Sequence, residues 1–209
     1  MCRTAIIGLL AAVMAIGGCN LPSSVTGSGQ VHAPGKTFAS QDSITPDALP
    51  YTNARLLLAG TEVKVTMTRR ASPGQVIFDL SARDVVLESE KYLSDDKAFS
   101  FVGLSDETFQ PAIPLVVYPF SIGDDWTWSG TANLGPNSKP AEAKLTCLPE
   151  KLNLPGGVYD CVLVTADVIV QASRGVPSKR TLKFWFQPKS GLVKREFGFS
   201  STREPASVQ

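Results

Sequence analysis

Beyond Pro50, apolar and polar residues alternate along the chain. In Thr61–Arg70, Val63, Val65 and Met67 fall on one side, while Glu62, Lys64, Thr66 and Thr68 fall on the other. In Arg180–Gln187, Leu182, Phe184 and Phe186 oppose Thr181, Lys183 and Trp185. A period of two marks a half-buried strand, because successive side chains leave a pleated backbone on opposite faces. The same reading predicts strands over 52–58, 75–81, 84–90, 97–103, 113–118, 126–131, 142–148, 158–170 and 192–199. Each is short and bounded by Gly, Pro, Asn, Asp or Ser, the residues that turn a chain between strands. No long window carries a helical stripe, and at most one helical turn is expected, around Glu90–Lys97.

Strands with one polar and one apolar face suit an antiparallel sheet wrapped around a single core. The expected fold is therefore all-β, a curved half-barrel or open barrel, with a two-sheet sandwich as the alternative. A concave face or mouth of such a sheet is where a ligand would sit.

The N-terminal stretch breaks this pattern. Arg3 precedes an apolar run from Ala5 to Ile16 and then small residues, the order of a secretory signal peptide. The run is shorter than the roughly 20 residues a transmembrane helix needs. Ile16-Gly17-Gly18-Cys19 resembles the lipobox of bacterial lipoproteins: an aliphatic residue, two small ones, and a thiol that receives lipid before cleavage. The competing reading is an ordinary signal peptide with a cysteine near its end by chance. By resemblance to lipoproteins in which aspartate after the cysteine favours inner-membrane retention, Asn20 points to the outer membrane, with the domain facing the periplasm. Acyl chains on Cys19, each contributing about 0.8 kcal/mol per buried methylene, would make the membrane attachment effectively permanent.

From Leu21 to about Pro50 the chain is rich in Ser, Gly, Thr, Pro and Gln and shows no period. It reads as a flexible tether. The expected layout is a signal peptide over 1–18, lipidated Cys19 and tether over 19–50, a β domain over 51–199, and a flexible tail over 200–209.

Charge and catalytic chemistry narrow the function further. The chain holds 20 basic and 19 acidic residues, and losing Arg3 with the leader leaves them equal. A neutral surface gives nucleic acid no electrostatic hold. The one histidine, His32, lies in the tether. Serine and cysteine nucleophiles usually need a histidine base, and the common zinc sites need histidine ligands. No metal, cofactor or catalytic residue is therefore assigned. A pair of carboxylates could still cleave glycans. However, Asp124-Asp125 and Asp95-Asp96 are adjacent in sequence, and neighbours on a strand point apart. They are expected to shape turns.

Once the leader has gone and Cys19 carries lipid, Cys147 and Cys161 remain. They lie at the facing ends of predicted strands 142–148 and 158–170, across a turn-rich stretch. In an oxidising compartment a structural disulfide between them is expected, with a redox or metal pair as the alternative. Closing a loop of about 15 residues would stabilise the fold by roughly 3 kcal/mol. Trp126 and Trp128 share a strand face, and Trp185 opposes Phe184 and Phe186. These three tryptophans are the candidate ligand-binding residues, against the simpler reading that they fill the core.

Three stretches occur in a suggestive order: Phe109–Leu115 leading through Tyr118-Pro119-Phe120 to Gly123-Asp124-Asp125-Trp126-Thr127-Trp128-Ser129-Gly130; Leu154-Pro155-Gly156-Gly157-Val158-Tyr159-Asp160-Cys161; and Phe184-Trp185-Phe186 followed by Gly191–Glu196. Over residues 105–199 the chain resembles the domain-of-unknown-function 3108 family of bacterial exported and lipid-anchored proteins. That resemblance implies a β-rich periplasmic domain and supplies no activity. It departs from the pattern at Gly156-Gly157, where alanine-glycine is common, and in having Cys147 and Cys161.

The expectation from sequence is a non-catalytic envelope lipoprotein whose β domain binds a hydrophobic or amphipathic ligand or an envelope component. A scaffold subunit of an envelope complex is the alternative, and a glycan hydrolase the remote one.

Overall fold

Alternation persists through the folded region, and the strands it predicts join edge to edge in one antiparallel sheet. The computed structural model describes residues 12–14, 35–48, 52–58, 61–154, 157–172 and 175–200. Near the N-terminus lie β1 (Ala12–Met14), β2 (Thr37–Phe38), the single helical turn α1 (Gln41–Ile44) and β3 (Asn53–Leu58). Then follow β4 (Thr61–Ser72), β5 (Gln75–Ala82), β6 (Val85–Ser94), β7 (Ala98–Gly103), β8 (Glu107–Val117) and β9 (Phe120–Ser121). The remainder is β10 (Asp125–Leu134), β11 (Asn137–Leu154), β12 (Gly157–Val170), β13 (Ser178–Gln187) and β14 (Gly191–Ser200).

From β3 to β14 each strand pairs with its predecessor, except that β10 pairs with β8 and leaves β9 to a small separate sheet with β2. The result is an up-and-down curl of eleven strands, the curved sheet expected from sequence. Its two free edges, β3 and β14, are bridged by the three residues of β1.

Closure puts the alternating apolar residues inside. Phe78, Tyr92, Phe99, Phe101, Phe184, Phe186 and Phe197 are buried there and meet ring to ring. Tyr92 stacks on Phe99 at 4.9 Å, and Phe101 stacks on Phe197 at 5.6 Å. The outer face carries Glu62, Lys64, Thr66 and Thr68 on β4, and Glu142 and Lys144 on β11. A barrel that spans a bilayer has the opposite polarity, apolar outside and polar within.

One ion pair sits among these rings. Glu90 on β6 and Arg195 on β14 are both fully buried, and Glu90 Oε2 accepts from Arg195 Nε and from the Tyr92 hydroxyl (3.1 Å). The Arg195 guanidinium also lies 5.3 Å from the Phe78 ring centre and donates to Met67 Sδ at 3.3 Å. Burial pushes the Glu90 carboxyl above its ordinary pKa, although Arg195 pulls it down.

Three sequence expectations need correction. The helical turn around Glu90–Lys97 is absent: β6 runs on to Ser94, and residues 95–97 are a turn into β7. Residues 35–48, placed in the tether, pack against the barrel instead. Phe38 stacks on Phe120 at 5.0 Å, Ile44 is fully buried, Gln41 donates to Ser94 Oγ, and Arg69 donates to Asp47. Phe38 and Ile44 are isolated apolar residues with no period, so their place in the fold comes from tertiary contact with Phe120 and the barrel core. His32 and residues 19–34 lie outside the described residues, as do residues 201–209 of the expected tail. The third correction, the cysteine pair, belongs to the site below.

Removing one partner of a buried ion pair strands the other charge. Glu90→Ala should therefore cost about 3–5 kcal/mol in urea unfolding, and Glu90→Gln, which keeps an acceptor for Arg195, clearly less. A loss below about 1 kcal/mol for Glu90→Ala, the range of an exposed pair, would contradict a buried pairing.

Candidate functional site

The two tryptophans of β10 are held by a break in the sheet. Proline has no N–H, and β8 carries Pro111 and Pro114 where a ladder to β10 would continue. The β8–β10 pairing stops at Gln110↔Thr131. Beyond it the tryptophans take over: Trp126 Nε1 donates to the Pro114 carbonyl (2.7 Å) and Trp128 Nε1 to the Pro111 carbonyl (3.1 Å). Indole N–H groups thus replace backbone amides across the splayed strands. Gly130 makes room for this arrangement, since a Cβ there would lie 2.5 Å from the Gln110 oxygen and 2.6 Å from the Trp128 ring. Trp128 is buried edge-on to Phe109 at 5.9 Å, while Trp126 is half-buried against the same core.

Trp185 belongs elsewhere. It is buried in a second, small cluster with Leu152, Cys161 and Val193, and Lys194 Nζ lies 4.4 Å from its ring centre. The cluster is built where β11 and β12 outrun their neighbours. Pairing with β10 ends at Thr146, and pairing with β13 ends at Val162, yet the β11–β12 hairpin continues to Leu154↔Gly157. The structure therefore brings Trp126 and Trp128 together and leaves Trp185 apart from them.

The cysteines are separated in the same way. In the β11–β12 ladder Cys147 faces Val164 and Cys161 faces Glu150. Three residues of offset reverse the side of the sheet, so Cys147 joins the barrel core and Cys161 the outer cluster. Both thiols are free, which corrects the expected disulfide. The turn-rich stretch between predicted strands 142–148 and 158–170 is mostly strand: β11 runs on to Leu154 and β12 starts at Gly157, which moves the hairpin's centre later than the cysteine pairing requires. Burial, with smaller contributions from Asp124 and Glu150 respectively, pushes each thiol up to about 12. Such thiols carry almost no thiolate near neutrality.

Three of the four carboxylates considered for glycan cleavage are engaged in local structure. Asp124 accepts from the Ser121 amide (2.7 Å), Asp125 pairs with Lys144 (3.2 Å), and Asp95 accepts from the amides of Lys97 and Ala98 (2.8 Å each). Glu107, on the inner side, pairs with Arg180. Burial raises its pKa despite that partner. Among the described residues no three His, Cys, Asp or Glu side chains gather as a metal site.

Two surface features were missed in the sequence. An open cleft of about 270 Å³ lies over β3, β4 and β5, with exposed Lys64 and Arg83 beside buried Ala54 and Val65. The projecting β11–β12 arm leaves Leu148 52% and Val158 66% exposed. Neither has a sequence signal, because both depend on how far one strand outruns the next. No protein-family model matches the chain, and neither a curated protein nor a solved structure matches it.

Trp128→Phe keeps the ring but abandons the Pro111 carbonyl, and should lower stability by about 1–3 kcal/mol in thermal or urea unfolding. Unchanged stability would return Trp128 to the ligand candidates. In the native protein at pH 8, peptide mapping after iodoacetamide should find Cys147 and Cys161 unmodified, and both alkylated once denaturant is added. Rapid native labelling, or a disulfide-linked peptide, would contradict the burial and register described.

Proposed function

We propose that this chain is a lipoprotein of the bacterial cell envelope, anchored through Cys19, whose barrel binds another envelope component at its surface and catalyses nothing. The observation that supports this reading most directly is the filled interior. A carrier of hydrophobic ligands needs a lined cavity. Here that volume is taken by Tyr92, Phe99, Phe101, Phe184 and Phe197, all buried and in mutual ring contact. The indole N–H groups of Trp126 and Trp128 bond to β8, and Trp185 is buried in a separate cluster, so the three tryptophans form no common ligand-facing surface.

The surface offers a better place. Exposed apolar side chains also occur at Val85, Val86, Leu87, Leu93, Val117 and Val176. Leu148 and Val158, however, lie on the two faces of the projecting β11–β12 arm, a hairpin that outruns its neighbours and so suits contact with a protein. The resemblance to the domain-of-unknown-function 3108 family and the lipobox at Ile16–Cys19 support an exported, anchored protein, with Asn20 favouring the outer membrane.

Two measurements on the native protein test this reading. Its intact mass should show loss of residues 1–18 and a gain of acyl chains; an unmodified Cys19 would overturn the anchor. A photo-crosslinking residue at Val158 should capture one defined envelope protein in living cells, while the same residue at Glu142 should not. Stoichiometric lipid recovered from the purified domain, with no crosslink at Val158, would restore the carrier reading instead.

A further inference from the structure

The strand that closes the barrel lies inside the segment read as a removable leader. Val13 and Met14 of β1 pair antiparallel with Glu196 and Arg195 of β14, and Ala12, Val13 and Met14 pair antiparallel with Leu58, Leu57 and Leu56 of β3. Cleavage before Cys19 removes that strand, so this inference rests on the lipoprotein reading above. What remains is a slot one strand wide, with β3 and β14 about 9.5 Å apart, twice the spacing of neighbouring strands.

The slot does not simply close up. Joining β3 directly to β14 would shrink the barrel by one strand, and barrel diameter follows strand number. Among the described residues, Tyr92, Phe99, Phe101, Phe184 and Phe197 are already in ring contact within the barrel, and such packing resists that contraction. The slot also borders the most costly buried group. Met14 is registered against Leu56 on one side and Arg195 on the other, and Arg195 holds Glu90. An occupant therefore keeps water from the buried ion pair as well as satisfying two rows of backbone groups.

We propose that in the processed protein the slot between β3 and β14 accepts an extended, uncharged, apolar segment of a partner protein, added as a strand antiparallel to both edges. The occupant's chemistry is read from the segment seated there, Ala12-Val13-Met14. The chain's own tether is a poor substitute, since residues 20–34 contain no three consecutive apolar residues. Backbone pairing supplies the affinity, and the apolar surroundings exclude charged segments.

The test uses the processed lipoprotein in detergent, after its mass has shown that residues 1–18 are gone. A retained leader would overturn the anchor reading and this inference together; every later outcome bears on the slot alone. The probe is a peptide of residues 10–16 with lysines added at its ends. Its control carries Val13→Pro, which partitions equally into detergent but loses an amide that a doubly flanked strand must use. Binding should be saturable and should slow amide exchange by roughly tenfold or more in β3 and β14, leaving β12 unchanged, and the proline peptide should do neither. Equal effects of both peptides, or none, overturn the proposal. So does strong protection of β3 and β14 in the free protein: if independent of concentration it means closure within the chain, and if it grows with concentration it means a second copy fills the slot.

Discussion

The Glu90–Arg195 pair is the constraint around which this fold is arranged. It joins β6, the fourth strand from the β3 edge, to β14 at the other edge, seven strand-to-strand steps away, so it can form only if the sheet curls back across its own interior. A buried carboxylate facing a buried guanidinium tolerates neither a flat sheet nor a hydrated interior, because either would leave the charges apart or replace one another's company with water. The surrounding rings define the distance at which the pair can meet. Phe78 lies against the guanidinium, Tyr92 donates to the carboxylate, and Phe99 and Phe101 pack on Tyr92. Hydrophobic burial drives the curl, and the ion pair selects one degree of curling among many that would bury similar area.

Much of the barrel was legible because the alternation is local. Val63, Val65 and Met67 announce an inward face without reference to any other strand, and Val65 and Met67 are buried. Register was not legible, because it depends on where a hairpin turns. Placing the β11–β12 turn too early set Cys147 opposite Cys161, and an odd error in register exchanges the two faces of a sheet. The two thiols consequently lie in different clusters. Residues 35–48 illustrate the other limit. Phe38 and Ile44 show no apolar periodicity with their neighbours in sequence; the aromatic partner of Phe38 is Phe120, far along the chain, and Ile44 is buried in the barrel core cluster.

The tryptophans show how a shared face can be legible in sequence while the partners of its side chains are not. Trp126 and Trp128 do share a face, as alternation requires. Their indole nitrogens, however, are spent on Pro114 and Pro111, whose position within a strand is itself the anomaly in the sequence. A proline-bearing strand beside a tryptophan-bearing one is a compensated pair: each removes a problem that the other creates.

The docked segment from Gly35 to Ala48 also limits how far the barrel could stand from an anchor at Cys19. With the proposed anchor at Cys19, only residues 20–34 remain to span the gap, a leash no longer than about 50 Å even when fully drawn out. The leash leaves at Gly35, whose amide is bonded to Ile122 O, and Gly123 is bonded in turn to Cys147 at the base of the projecting arm. Anchor point and arm therefore occupy the same end of the barrel. Under the proposed anchor, whatever the arm meets would stand close to the lipid, and a partner farther off than the leash allows would be out of its range.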